Sequence, residues 1–240
     1  MAINVAAEDQ GAAIALEAST KPCEPFYPSE DGEPLAESFL HLLAIITILQ
    51  VLLRYLSGQE AMVLSDQFLY YVEGDAKKRV APDVMVIFGV PYGPRDNYKI
   101  WEEGQVPSVV FEVTSPSTKQ QDLTTKRDLY EQLGVQEYWL FDPKAEWIPE
   151  QLRGYRLLDG VYGAIASDPP VSEVLGLRLA IEEHLLIFYR LDTGDRLAPP
   201  AEIWEKLDQE QEKAAQEKER ADRLAAKLRE LGINPDALED

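Results

Sequence analysis

Two acids stand alone in apolar, β-branched runs: Asp83 in "RVAPDVMVIFGV" (Arg79 to Val90) and Glu112 in "PSVVFEVTS" (Pro107 to Ser115). Alternate residues of a strand share a face, so Glu112 lies with Val110 and Thr114, and Asp83 with Met85 and Ile87. Two carboxylates brought to about 4 Å repel by about 4 kcal/mol at an effective dielectric of about 20, so such a pair needs relief. A divalent cation held by both acids would supply it and bring hydrolytic chemistry. A proton on one acid, or a structural bridge to lysine or arginine, would supply it without chemistry.

Further candidates come from helical spacing. Asp122, Lys126 and Tyr130 stand at i, i+4 and i+8 in the segment after Glu112, a single stripe from which Lys126 could reach back to the strand. The alternative is a surface ion pair between Asp122 and Lys126, worth under about 1 kcal/mol. Glu37 falls in the first turn of a helix predicted from Pro34, on the stripe of His41, where it also complements the helix dipole. Cys23 is the only cysteine and His41 and His184 the only histidines, which excludes a thiolate cluster and leaves little room for zinc. Any metal is expected to be a hard cation on oxygen ligands. The formal charge of −20 over 240 residues opposes nonspecific binding to phosphate backbones or anionic membranes.

The elements that must position these groups form a mixed α/β (α+β) pattern. Residues 1–33 read as an irregular lead-in broken by Pro22, Pro25 and Pro28, and a helix is predicted from Pro34 to about Leu56. Its apolar run, Phe39 to Leu53, is shorter than the roughly 20 residues that span a bilayer, so a helix buried on most sides is expected and no membrane association. With no basic, leader-like start, a cytoplasmic location is expected. "AMVLSDQFLYYV" reads as a strand or hairpin arm, and the two acid-bearing runs as core strands. A helix of about four turns is predicted between a cap at Ser117 or Thr118 and a stop at Gly134, and a buried strand in "VQEYWLFDP". Asp159-Gly160 marks a hairpin. The domain thus spans 34–198, and 199–240 forms a charged helix. That helix is either solvated or a partner-binding coiled coil over 201–231, its seam weakened by Glu210 and Glu217.

Together, "APDVMVI", "VVFEVTSPST", "DLTTKRDLYEQLGVQEYWLFDP" and the upstream "DGEPLAES" resemble the Uma-two family of restriction endonucleases, within the PD-(D/E)XK nuclease superfamily, over residues 31 to 195. The resemblance implies a central mixed sheet flanked by helices. It makes Asp83 the motif aspartate after Pro82, Glu112 the acid of the E-x-K element, and Glu37 the first-helix acid. Where the superfamily pattern expects lysine this chain has Thr114, and Lys126 on the following helix stands in the matching place.

The implied activity is Mg²⁺- or Mn²⁺-dependent hydrolysis of DNA phosphodiester bonds. Asp83, Glu112 and the Val113 carbonyl would hold the metal, Lys126 would orient the attacking water or stabilise developing phosphorane charge, and Glu37 would hold a second metal or a metal-bound water. Homodimerisation is implied as well, since related nucleases pair to cut both strands. Two other readings compete: an inactive nuclease fold whose C-terminal helix recruits a protein partner, and a glycosidase using Asp83 and Glu112 as acid and base. Phosphate contacts would fall to scattered cations such as Lys77, Lys78, Arg79 and Lys99, which are equally explained as solvated surface.

Overall fold

The computed structural model describes residues 25–30, 38–116 and 118–231. From the amino end, α1 (Phe39–Tyr55) leads into β1 (Ala61–Leu64), β2 (Leu69–Tyr70), β3 (Arg79–Val80), β4 (Val84–Phe88), β5 (Tyr98–Lys99) and the single turn α2 (Ile100–Glu103). After β6 (Val109–Val113) comes a helix in three pieces: α3 (Lys119–Gln121), a π turn over Asp122–Lys126, and α4 (Arg127–Leu133). The rest is β7 (Glu137–Phe141), β8 (Leu152–Leu158), β9 (Val161–Ala164), β10 (Val171–Ser172), β11 (Leu177–Glu182), β12 (Leu185–Arg190), β13 (Arg196–Leu197) and α5 (Pro200–Glu230).

The central sheet has six strands in the order β1-β4-β6-β7-β8-β9, and only β6 and β7 run parallel within it. A parallel neighbour requires a crossover, and the α3–α4 helix is that crossover. It covers one face, where Met85, Ile87, Val110, Tyr138 and Leu140 pack with Tyr130. The opposite face presents Val84, Val86, Phe111, Val113, Trp139 and Phe141 to α1 and to a second, four-stranded antiparallel sheet, β10-β11-β12-β13. Alternation along β6 therefore aims Glu112 at the crossover helix. This is the mixed α/β fold expected, with a central mixed sheet, flanking helices and a long carboxyl-terminal helix.

The local signals resolve in different ways. Asp159 and Gly160 both take positive φ, 51° and 83°, which makes the β8–β9 connection a type I′ hairpin turn. The first helix begins at Phe39, later than Pro34, because Ser38 is extended and its side chain caps His41 N–H at 3.3 Å. As expected, α1 is buried on most sides: His41, Ala44, Ile45, Thr47, Ile48, Val51 and Leu52 pack inward, and only a narrower stripe through Phe39, Leu42 and Ile46 faces solvent. Thr118 does not cap the crossover helix; its hydroxyl turns back to accept from the Ser115 N–H at 3.3 Å. Among the described residues no helix is long and apolar enough to cross a membrane. No residue of α5 is buried.

Candidate active site

Register brings the two lone acids together. Val84 pairs with Phe111 in the antiparallel β4–β6 ladder, so one step further Asp83 stands opposite Glu112. Asp83 Oδ2 accepts the Val113 N–H at 2.6 Å, which fixes its carboxylate beside the end of β6. Glu112 is fully buried, and both of its oxygens are engaged by the crossover helix. Lys126 Nζ donates to Oε2 at 2.8 Å, and the Tyr130 hydroxyl donates to Oε1 at 2.7 Å. Lys126 also lies 3.0 Å from Asp122 Oδ1, an ion-pair approach without hydrogen-bond alignment. The predicted stripe of Asp122, Lys126 and Tyr130 thus converges on Glu112. It does so through a π turn, a wider coil that recurs at functional sites.

The charge balance of this cluster is unusual for an interior. Asp83, Glu112 and Asp122 surround a single ammonium, so full ionisation leaves an excess of two negative charges. Burial, and then the charge of Glu112, pushes the Asp83 carboxyl well above its ordinary range. Burial likewise raises Glu112, with Lys126 pulling the other way. For Lys126 burial favours the neutral amine, but Glu112, Asp122 and Asp83 outweigh it and hold the ammonium protonated far above neutral pH. Tyr130 is raised by burial and by Glu112, so it remains a donor. Within the cluster solvent reaches Asp83 and Lys126, whose side chains are 16% and 15% exposed, while those of Glu112 and Asp122 are each 1%.

One participant carried no role in the sequence reading. His41 on α1 donates from Nε2 to the Val113 carbonyl at 2.7 Å and lies 3.8 Å from Asp83 Oδ2. The contact joins residues 72 positions apart, and its only sequence signal was a histidine at the start of an apolar helix. Glu37, expected in the first turn, lies outside the described residues, and the turn that begins at Phe39 holds no acid. Of the scattered cations, Arg79 lies over the Phe68 ring and Lys99 pairs with Glu102, away from the cluster.

Among the described residues no three Asp, Glu, His or Cys side chains converge as a metal cage. The donors at the Asp83–Glu112 pair are two carboxylates and the Val113 carbonyl, all oxygen, within excess negative charge. That set fits Mg²⁺, which keeps several waters and uses one or two carboxylates, better than Ca²⁺ or Zn²⁺.

The sequence pattern of the Uma2 family, described as "Putative restriction endonuclease", matches residues 27–182, about two thirds of the chain. The chain belongs to this family. The match takes in Asp83, Glu112, Lys126 and His41, so the whole cluster lies within the Uma2 region. Among solved structures, the chain is similar to the crystal structure of "a putative nuclease belonging to DUF820" from Anabaena variabilis ATCC 29413. That likeness has 18% identity and a TM-score of 0.47, and covers 62% of this chain and 82% of the other. No curated protein matches.

Proposed function

We propose that this Uma2 protein is a metal-dependent endonuclease that hydrolyses phosphodiester bonds in DNA. The observation that carries the reading is the cluster of three carboxyls around one ammonium, over-negative, buried, and open to solvent only at Asp83 and Lys126. A structural ion pair has no need of the third acid or of the opening. Asp83, Glu112 and the Val113 carbonyl would hold Mg²⁺ or Mn²⁺. When bound, such an ion polarises the scissile phosphate and makes water a stronger nucleophile at neutral pH.

The side chains divide the remaining work. Lys126 stays protonated and cannot serve as a base, so it acts as a donor aimed at the non-bridging phosphate oxygens as charge grows on them. Asp122 keeps that ammonium in place, and Tyr130 fixes the Glu112 carboxylate so that it need not reorganise. His41 orients the Val113 carbonyl.

The test is incubation of supercoiled, linear and single-stranded DNA with protein and Mn²⁺, beside Asp83→Ala. Cutting by the parent and none by the variant is expected; undiminished cutting by the variant overturns the site. Melting with and without Mg²⁺ gives a second readout, since saturation at about a hundred times the dissociation constant adds about 2.7 kcal/mol. A second reading, an inactive fold that recruits a protein partner or a second copy, is favoured by one observation, the helix α5, which buries none of its residues. Absence of any metal-induced shift would favour it.

A further inference from the structure

Beside the carboxylate cluster a pocket of about 290 Å³ opens between the start of α1 and the carboxyl ends of β6 and β7. His41, which donates to the Val113 carbonyl, and Thr114, the next residue in the chain, belong to its wall, which places it next to the site. Ser38 and Ser115 also line it, with Lys144 and Trp147 on the loop after β7. Asp142 is not free to greet a ligand there: its carboxylate accepts the N–H groups of Lys144, Trp147 and Ile148 and so sets the shape of that loop. Lys119 rests its ammonium 3.1 Å from the centre of the Trp147 ring, and neither it nor Lys144 has a carboxylate partner among the described residues.

We infer that this pocket receives one unpaired nucleotide next to the scissile phosphate, so that the substrate is single-stranded DNA or a duplex with an extruded or overhanging nucleotide. The inference rests on the nuclease reading above and names its substrate class. Size is the first argument: the volume lies at the lower end for small-ligand pockets and admits one nucleoside, whereas a base stacked in a duplex cannot enter it. Lining is the second: the Ser38 hydroxyl, which accepts the His41 N–H, and the Thr114 hydroxyl, which donates to the Phe141 carbonyl, each keep one further hydrogen-bonding direction beside Pro143 and Trp147, a mixture suited to a base edge and a sugar. Charge is the third. A net charge of −20 opposes the many phosphate contacts of a duplex grip, while Lys144 in the wall, with Lys119 over the Trp147 ring, suits one or two phosphates of a short strand on the side of the mouth away from Glu146.

The experiment is fluorescence anisotropy on Asp83→Asn in EDTA, with a labelled single strand, its blunt duplex, and the same duplex carrying one unpaired nucleotide. The single strand and the interrupted duplex are expected to bind about tenfold or more tighter than the blunt duplex. Leu40→Trp, which fills the pocket, should remove that preference. Lys144→Ala, on an exposed loop where folding is not at stake, should weaken the single strand and flatten its salt dependence by about 0.7 in log–log slope. Equal affinity for the blunt duplex, or a preference unchanged in both variants, overturns the proposal. Cleavage by the parent protein without the preference leaves the nuclease reading standing and removes the pocket; the preference without any metal-dependent cleavage does the reverse.

Discussion

Glu112 and Glu137 are glutamates on neighbouring parallel strands of one sheet, each fully buried, yet they live in opposite electrostatic worlds. Glu137 faces the α1 side and is saturated. Arg156 donates two hydrogen bonds to Oε1 at 3.1 and 3.0 Å, joined by the Glu173 and Val174 N–H groups at 3.0 and 3.4 Å, while Trp139 and Ser172 donate to Oε2. Inside the fold one guanidinium and a fan of neutral donors meet the single buried carboxylate, while the same guanidinium also reaches the exposed Glu173 at 2.7 Å. Even the backbone makes room for this arrangement: Gly154, opposite Trp139, leaves no Cβ where the indole lies. Glu112 faces the crossover helix with two donors, in a cluster short of positive charge. Burial is therefore common to both glutamates; what sets Glu112 apart is unbalanced charge beside partly exposed groups.

The largest expected difference is in activity. Glu112→Ala should abolish metal-dependent cleavage, whereas Glu137→Ala, wherever it remains folded, should cut at close to the parent rate; equal loss in both would erase the distinction. Next in size is stability. Glu137→Ala leaves Arg156 its Glu173 partner at 2.7 Å but takes the acceptor from the buried Ser172 and Trp139 donors, and should cost about 1–3 kcal/mol for each in urea unfolding, the range for a buried donor left unsatisfied.

The third test uses pH. Asp83 and Glu112 have folded pKa values raised above those of the unfolded chain, so the metal-free fold holds protons that the unfolded chain releases. Their contribution is fully present below the ordinary carboxylate range and is lost as pH rises through the raised values. Asp83→Asn keeps an acceptor for the Val113 N–H but removes the charge. It should therefore stabilise the metal-free protein at neutral pH by about 1 kcal/mol or more, and the gain should vanish near pH 4. A variant less stable than the parent at pH 7 would contradict the charge imbalance. Of similar size is Tyr130→Phe, which removes one hydrogen bond to Glu112 and should cost about 1 kcal/mol in melting experiments while leaving metal-induced stabilisation in place.

The contrast also shows which parts were legible beforehand. Asp83 and Glu112 stood out because each is a lone acid in an apolar run, and Lys126 because helical spacing aligned it with Asp122 and Tyr130. The Asp159-Gly160 turn was legible because few residue pairs accept two positive φ values. Glu137 sits in "VQEYWLFDP" with the same local signal as Glu112, and nothing nearby distinguishes them, because its partners Arg156 and Ser172 arrive from distant strands. His41 was obscure for the same reason. The start of α1 was misread because Pro34 fits a first helical turn, while the cap is a serine that meets its partner three residues on. The exposed stripe of Phe39, Leu42 and Ile46 shows that an apolar helix need not be enclosed by its own domain.

The π turn at Asp122–Lys126 sets the rotational phase between the two ends of the crossover helix. Everything before it, including Lys119 at the pocket mouth, is indexed to everything after it, including Tyr130, by one wide coil. Deleting a single residue among Leu123, Thr124 and Thr125 would rotate the leading end by about 100° and carry Asp122 and Lys119 away from the positions they hold. The helix therefore tolerates substitution in this turn more readily than a change in length. A length difference here between two such chains marks a rearranged charge cluster even when every acid and lysine remains.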